Sequence, residues 1–201
     1  MTNEYKFSIC IPTYNGAEYI GETLKSIFKQ SYRNFEIIIS DDCSTDDTVK
    51  RIKSFKDKRI RIYKTLHNVG YGDNLKTFKS KISGDIMFMM AQDDLLTPDA
   101  LPKINQAYHL DKDIGAVIRP YYQFDSDPRI PVRRAPPPDL NNDLIVSIFA
   151  DRKIIEKVIE ASGLLSAISY RVKYMDRDFH AHVFPAHAYP FFSIFKKHKI
   201  V

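Results

Sequence analysis

The sequence predicts an α/β protein built on a mostly parallel sheet with helices on both faces. Three observations predict it. Strand and helix patterns alternate from residue 5 to residue 118, the order that joins parallel strands through helical crossovers. Two of the strand segments, FEIIIS and IMFMMA, are short continuous apolar runs, as in strands buried on both faces, although periodicity alone leaves a buried helix open for the second. The strands they predict end at Asp41-Asp42 and Asp93-Asp94, and the carboxyl ends of strands are where open α/β sheets bind ligands.

Taken in order, Tyr5–Ile11 (YKFSICI) is a strand pattern ended by Pro12. Asn15 and Glu18 have capping-box spacing ahead of Ile20, Leu24, Ile27 and Phe28, which share one helical face. Phe35–Ser40 is the second strand. Ser44 and Asp47 repeat the box spacing before a helix whose buried side is Val49, Ile52 and Phe55. Arg59–Tyr63 (RIRIY) alternates as a third strand, and its charges suit a sheet edge. The loop His67–Gly72 leads into a helix with Leu75, Phe78 and Ile82 on one face; its glycine spacing is neither a dinucleotide fingerprint nor a P-loop. After Ile86–Ala91, a helix is expected from Pro98 to about Leu110, with Pro102 implying a kink or a restart. Ile114–Ile118 is the fifth strand.

The alternation breaks after residue 118. Residues 120–142 hold six prolines together with Arg129, Arg133 and Arg134, and are expected to form a long loop or lid with little regular structure. Ile148–Ala161 reads as a helix, Leu164–Tyr170 as a strand, Pro190–Lys197 as part of a helix, and His198–Val201 as the start of another strand. Stopping on a strand pattern suggests a chain truncated from something longer.

With 201 residues, 44% apolar and 27% charged, the chain suits one domain or one domain with an appendage. No signal peptide or membrane-spanning run is evident, so a cytoplasmic protein is expected. The two cysteines, Cys10 and Cys43, suggest reduced thiols. The net charge of +5 is uneven: Lys50–Lys64 carries eight basic residues against one acid, and Lys196-Lys197-His198-Lys199 lies near the end. Such runs are solvated faces or suit peripheral contact with the inner face of an anionic membrane. Nucleic acid is not expected, because no binding motif accompanies the charge.

The acidic pairs of the second and fourth strands and the polar Thr13-Tyr14-Asn15 after the first would open on one edge of a parallel sheet, as one crevice. A close acid pair either begins a turn or is compensated by a hard divalent metal bridging to phosphate oxygens.

The segments SICIPTYNGAEYIGETLKSI, IIISDDCSTDDTV, HNVGYGDNL and GDIMFMMAQDDLLTPDAL, in this order over roughly the first 110 residues, resemble glycosyltransferase family 2 with the Rossmann-like GT-A fold. NVGYGDN joined to QDD is most similar to the abequosyltransferase-like branch of bacterial surface-polysaccharide enzymes. The resemblance implies inverting transfer of a sugar from a nucleotide donor, a UDP-sugar first, to a glycan or lipid-linked acceptor. It implies a nucleotide-sugar half over 1–118, and a loop or lid with a partial acceptor-side region over 119–201. Pro12, Thr13 and Tyr14, with Asn15, match the loop around the nucleoside, Asp42 the acid that bonds the base, and Asn68 a loop near the donor. Gln92-Asp93-Asp94 stands at the DXD position with Gln for the first acid. Asp94 is expected to hold Mn²⁺ or Mg²⁺ against the diphosphate, and Asp93 to reach the ribose or share the metal.

Inverting transfer also needs a base, in this family usually the Asp of a Glu-Asp pair. The alignment puts Ala186 and His187 there. An imidazole with a pKa near ~6.5 is a competent base at neutral pH, so His187 is the candidate, with Asp176 and Asp178 in reserve. Other readings stand beside it: His187 as an ordinary helix-start histidine, or as a metal ligand with His180 and His182. Phe179, Phe184, Tyr189, Phe191 and Phe192 stack on sugars or form core. The rival functions are a non-catalytic nucleotide-sugar-binding module, a nucleotidyltransferase, which lacks its lysine-bearing phosphate loop here, and a receiver-like domain, which is too short for this chain.

Overall fold

The computed structural model describes residues 4–134, 143–182 and 185–201. The proline triplet 136–138 and Phe184 lie outside them. In chain order the strands are β1 (Phe7–Thr13), β2 (Phe35–Asp41), β3 (Ile60–Lys64), β4 (Ile86–Met89), β5 (Ile114–Ile118), β6 (Tyr122–Phe124), β7 (Pro131–Arg134), β8 (Ile168–Arg171) and β9 (Lys199–Ile200). The helices are α1 (Ile20–Phe28), α2 (Thr48–Lys53), α3 (Tyr71–Lys76), α4 (Ala100–His109), α5 (Arg152–Ala161) and α6 (Ala188–Phe195).

Seven strands form one sheet in the order β3-β2-β1-β4-β8-β5-β9, with β3 at an edge. The pairs β1-β2, β1-β4, β2-β3 and β5-β9 are parallel, and β8 runs antiparallel between β4 and β5. The mostly parallel α/β sheet is therefore as expected, and residues from both sides of position 118 build it. Alternate strand residues reach opposite faces. Ile9, Ile11, Ile37, Ile39 and Phe88 join Ile20, Leu24, Ile27, Leu101 and Ile104 in one core. Cys10, Ile38, Met87 and Met89 join Leu75, Phe78, Phe191 and Ile194 in the other. Each such fully buried large side chain contributes about 1.5–3 kcal/mol. Phe179 and Phe191 are thus core, whereas Tyr189 is exposed beside His180.

Several local expectations are corrected. β1 does not end at Pro12: the ladder to β2 continues through Pro12↔Ser40 and Thr13↔Asp41. Pairing with β4 stops at Cys10↔Met89, apart from one further bond from Met90 N–H to the Cys10 carbonyl. The missing Pro12 N–H would face that side, where the ladder to β4 ends. α4 starts at Ala100, not Pro98, which puts Pro102 in the first turn, where N–H groups have no acceptor within the helix. Asn15 caps nothing; α1 begins at Ile20 after a turn closed on the Gly16 carbonyl. Ser44 does not cap α2 either, since Asp46 Oδ1 accepts from Thr48 N–H at 3.0 Å. Within the segment expected to lack regular structure, β6 and β7 form an antiparallel ribbon. Among the described residues no helix is long and apolar enough to cross a membrane.

Candidate active site

Parallel alignment of β1, β2 and β4 brings their carboxyl ends to one edge of the sheet. There a cavity of about 290 Å³ is lined by Pro12, Thr13, Tyr14, Asp42, Asn68 and Asp93, together with Tyr71, Asn74 and Gln92. Of the residues expected at a donor site, these six share the cavity. Asn15, Asp94 and His187 lie around it.

The loop after β1 is fixed from two directions. Asn15, at φ 47°, donates its N–H to Ser44 Oγ at 2.9 Å and accepts from Thr45 N–H on Oδ1 at 2.9 Å, stapling this loop to the one after β2. Gln92 closes the other side: its Oε1 accepts from Thr13 Oγ1 at 2.5 Å and Tyr14 N–H at 3.1 Å, and its Nε2 donates to the Tyr14 carbonyl at 3.2 Å. A carboxylate only accepts, so the amide suits this two-way clamp where an acid does not. A Cβ on Gly16 would lie 2.1 Å from Gln92 Oε1, so a side chain there would push the clamp aside.

Asp42 is 3% exposed and accepts from Thr65 Oγ1 at 2.9 Å, Val69 N–H at 2.8 Å and Gly70 N–H at 2.9 Å. It thereby holds the Asn68–Gly70 turn over the cavity. An ionised carboxylate has about four lone-pair sites, so three bonds leave one for a ligand N–H.

The two acids at the end of β4 face different ways. Asp93 lines the large cavity; Asp94 lines a smaller one with Arg119, Tyr121, Tyr122, Phe124 and Ser166. Ser166 Oγ donates to Asp94 Oδ2 at 2.5 Å. Burial pushes the Asp94 carboxyl above its ordinary range; the Ser166 bond opposes this, and the charge of Asp93 adds to it. Arg119 is half-buried, with its guanidinium 4.6 Å from the Phe88 ring centre and its pKa lowered to about 10 by desolvation. Sequence reasoning missed Ser166 and Arg119; neither falls in a motif, and each reaches the acids only through the fold.

Among the described residues no group of three His, Cys, Asp or Glu side chains is disposed to hold a metal ion, so the three-histidine site is not formed. The rings of His180 and His182 lie edge to face at 5.9 Å. Of the pair at the end of β4, Asp93 faces the large cavity, and one carboxylate there fits a hard cation, since Mg²⁺-type ions bind through one or two carboxylates and complete their shell with phosphate and water.

His187 is 3% exposed and does not line the large cavity. Its Nδ1 is 3.1 Å from the Tyr71 hydroxyl and its Nε2 3.3 Å from the Ser162 carbonyl. Burial lowers its pKa, which keeps it neutral at neutral pH. The reserve base Asp176 is engaged by Lys197 Nζ and Ser193 Oγ, bonds that hold its pKa at about 2, too low for a general base. Asp178 accepts from Phe179 N–H at 2.8 Å.

A mostly parallel sheet with a polar crevice across β1, β2 and β4, and an acid pair closing β4, is the architecture of the GT-A-fold glycosyltransferases. The chain belongs to Glycosyl transferase family 2, whose profile matches residues 8–184. It is 32% identical over 123 residues to glycosyltransferase GlyG of Streptococcus pneumoniae, which covers 59% of this chain and 40% of that protein. It is 31% identical over 100 residues to the poly(ribitol-phosphate) β-N-acetylglucosaminyltransferase TarS of Staphylococcus aureus, covering 48% of this chain and 18% of TarS. The structure of TarS 1-349 with UDP-GlcNAc superposes at a TM-score of 0.70 and 22% identity, over 87% of this chain and 48% of that one. Mannosyltransferase PcManGT of Pyrobaculum calidifontis, in complex with GDP-Man and Mn²⁺, superposes at 0.74 and 18% identity, over 100% and 55%. The chain thus spans less than two thirds of each of these proteins.

Proposed function

We propose that this chain carries the donor-binding and catalytic part of an inverting, metal-dependent glycosyltransferase. It moves a sugar from a nucleoside-diphosphate donor, a UDP-sugar first, to a hydroxyl of a glycan or lipid-linked saccharide in surface-polysaccharide synthesis. The observation that carries this reading is the shared cavity of Thr13, Tyr14, Asp42, Asn68 and Asp93, with Asp94 beside it. TarS, a poly(ribitol-phosphate) β-N-acetylglucosaminyltransferase, supports a polymeric acceptor.

In this reading, residues 1–118 hold the donor and residues 119–201 form the acceptor side. Pro12, Thr13 and Tyr14 enclose the nucleoside, with Asn15 fixing their loop, and Asp42 accepts from the base. Asp93 and Asp94 hold a Mn²⁺ or Mg²⁺ ion, which when bound neutralises the charge developing on the diphosphate leaving group. His187, at the base position, is the final acceptor of the proton that leaves the attacking hydroxyl.

Incubating the protein with UDP-, dTDP-, CDP- and GDP-sugars, with Mn²⁺ or with EDTA, tests the reading. Release of nucleoside diphosphate from one donor, dependent on metal, with NMR showing an inverted anomeric centre, is the expected result. Donor binding with no release under any condition contradicts transfer and indicates a nucleotide-sugar-binding module.

A further inference from the structure

The group that touches the cavity is not His187 but Tyr71. Tyr71 opens α3 directly after Gly70, lines the large cavity beside Gln92 and Asp93, and is 42% exposed. Its hydroxyl lies 3.1 Å from His187 Nδ1. α3 is held close to the segment before α6: a Cβ on Gly72 would lie 2.5 Å from the Ala181 backbone, so only glycine permits the approach. His187 is fixed in turn. Tyr170 Oη donates to its carbonyl at 2.7 Å, and its Nε2 faces the Ser162 carbonyl. A carbonyl only accepts, so Nε2 carries the proton, and in the neutral ring Nδ1 is left to accept from the Tyr71 O–H.

We propose that Tyr71 and His187 form a proton relay, in which Tyr71 is the catalytic residue that meets the acceptor hydroxyl and His187 is the positioning residue that receives the tyrosine's proton. The proposal rests on the reading of the site as an inverting transferase with His187 as the final base. The acceptor oxygen forms its bond to the anomeric carbon as the bond from that carbon to the diphosphate breaks, and the electron pair leaves on the diphosphate. The acceptor proton passes to Tyr71 Oη while the Tyr71 proton passes to His187 Nδ1. The imidazolium so formed keeps its Nε2–H on the Ser162 carbonyl, and after product leaves it returns the proton through Tyr71 to water in the emptied cavity. Tyr71 is never held as a free phenolate, which suits a phenol whose pKa burial raises to about 12.

The test is metal-dependent hydrolysis of whichever of the four nucleotide-sugars the intact protein turns over, with water as acceptor. Tyr71→Phe keeps the ring and removes the hydroxyl; His187→Gln removes the imidazole. Each is expected to lower kcat by roughly 10²-fold, within the usual range for acid–base catalysis, with KM for the donor and the melting temperature of Tyr71→Phe unchanged. The double variant is expected to be no slower than either single one, since two members of one relay are not additive. Wild-type kcat in Tyr71→Phe, with His187→Gln impaired, overturns the relay and leaves the base reading standing; wild-type kcat in both overturns both. Losses that multiply also overturn the relay. Should His187→Gln not fold, ¹⁵N shifts of the His187 ring decide. An Nε2-protonated ring whose Nδ1 signal moves in Tyr71→Phe is expected, and an Nδ1-protonated ring contradicts the relay. Absence of turnover by the wild-type protein with every donor removes the transferase reading and the relay with it.

Discussion

Ser166 Oγ donates to Asp94 Oδ2 at 2.5 Å while accepting from the Ala91 N–H at 2.8 Å. One serine from the last third of the chain therefore braces both the end of β4 and its second acid. This geometry defines what the site costs the fold. Burial raises the Asp94 pKa, so the folded state binds a proton more tightly than the unfolded chain. Stability on this account is greatest at low pH and is lost as pH rises through the raised value. Asp94→Asn is expected to melt higher than wild type in metal-free buffer at neutral pH, with the gain vanishing toward the ordinary carboxylate range. The same variant should lose Mn²⁺-dependent nucleotide binding. A melting temperature unchanged at every pH contradicts the burial argument.

Asp42 ties the Asn68–Gly70 turn to β2. Asp42→Ala leaves the Val69 N–H without its acceptor and the Gly70 N–H with only Asn68 Oδ1, at 3.0 Å; with one unmet donor costing about 1–3 kcal/mol, a loss of about 1–3 kcal/mol is expected in urea denaturation. Affinity for UDP should fall more than stability predicts, because the carboxylate also faces the cavity. Calorimetric titration at a denaturant-free, fully folded temperature separates the two effects.

Gln92 stands where an acid is usual, and its clamp on Thr13 and Tyr14 needs an amide. Gln92→Glu restores the acid but turns the Nε2 donor into an acceptor facing the Tyr14 carbonyl. A loss of about 1–3 kcal/mol and weaker nucleotide binding are expected, with no gain in Mn²⁺ affinity. Stronger Mn²⁺ binding by this variant contradicts the assignment of Gln92 to the loop.

The sheet and three strand ends were legible because they rest on local signals: apolar runs, breakers, and acids at fixed places. The insertion of β8 between β4 and β5 was not, since pairing order depends on contacts distant in sequence. The caps failed for a related reason. Asn15 and Ser44 carry the right side chains at the right spacing, but they bond to each other's loops across the crevice, a tertiary use that outcompetes the local one. Tyr71 shows the same limit. It sits in a motif segment, yet its hydroxyl meets a histidine 116 positions away.

At the opposite end of the sheet, Glu36 accepts from Ser8 Oγ at 2.6 Å, from Ser83 N–H at 2.8 Å and from Arg61 at 2.6 Å. Burial alone would raise its pKa, but these bonds together outweigh it and lower the value. A lowered carboxylate contributes stability above the unfolded glutamate value, near ~4.3, and loses it as pH falls through the lower folded value. Glu36→Gln should therefore be less stable than wild type at neutral pH by about 1–3 kcal/mol and lose part of the wild-type acid sensitivity. An identical acid profile for both proteins contradicts this role.

The central claim is that the crevice at the ends of β1, β2 and β4 binds a nucleoside diphosphate through Asp93, Asp94 and a divalent cation. A thermal-shift panel of UDP-, dTDP-, CDP- and GDP-sugars, with and without Mn²⁺, tests it most directly, because a ligand that binds only the folded state raises the melting temperature. The account predicts stabilisation by one nucleotide, dependent on Mn²⁺ and absent in Asp94→Ala. Stabilisation that is equal without metal, or that persists in Asp94→Ala, contradicts it.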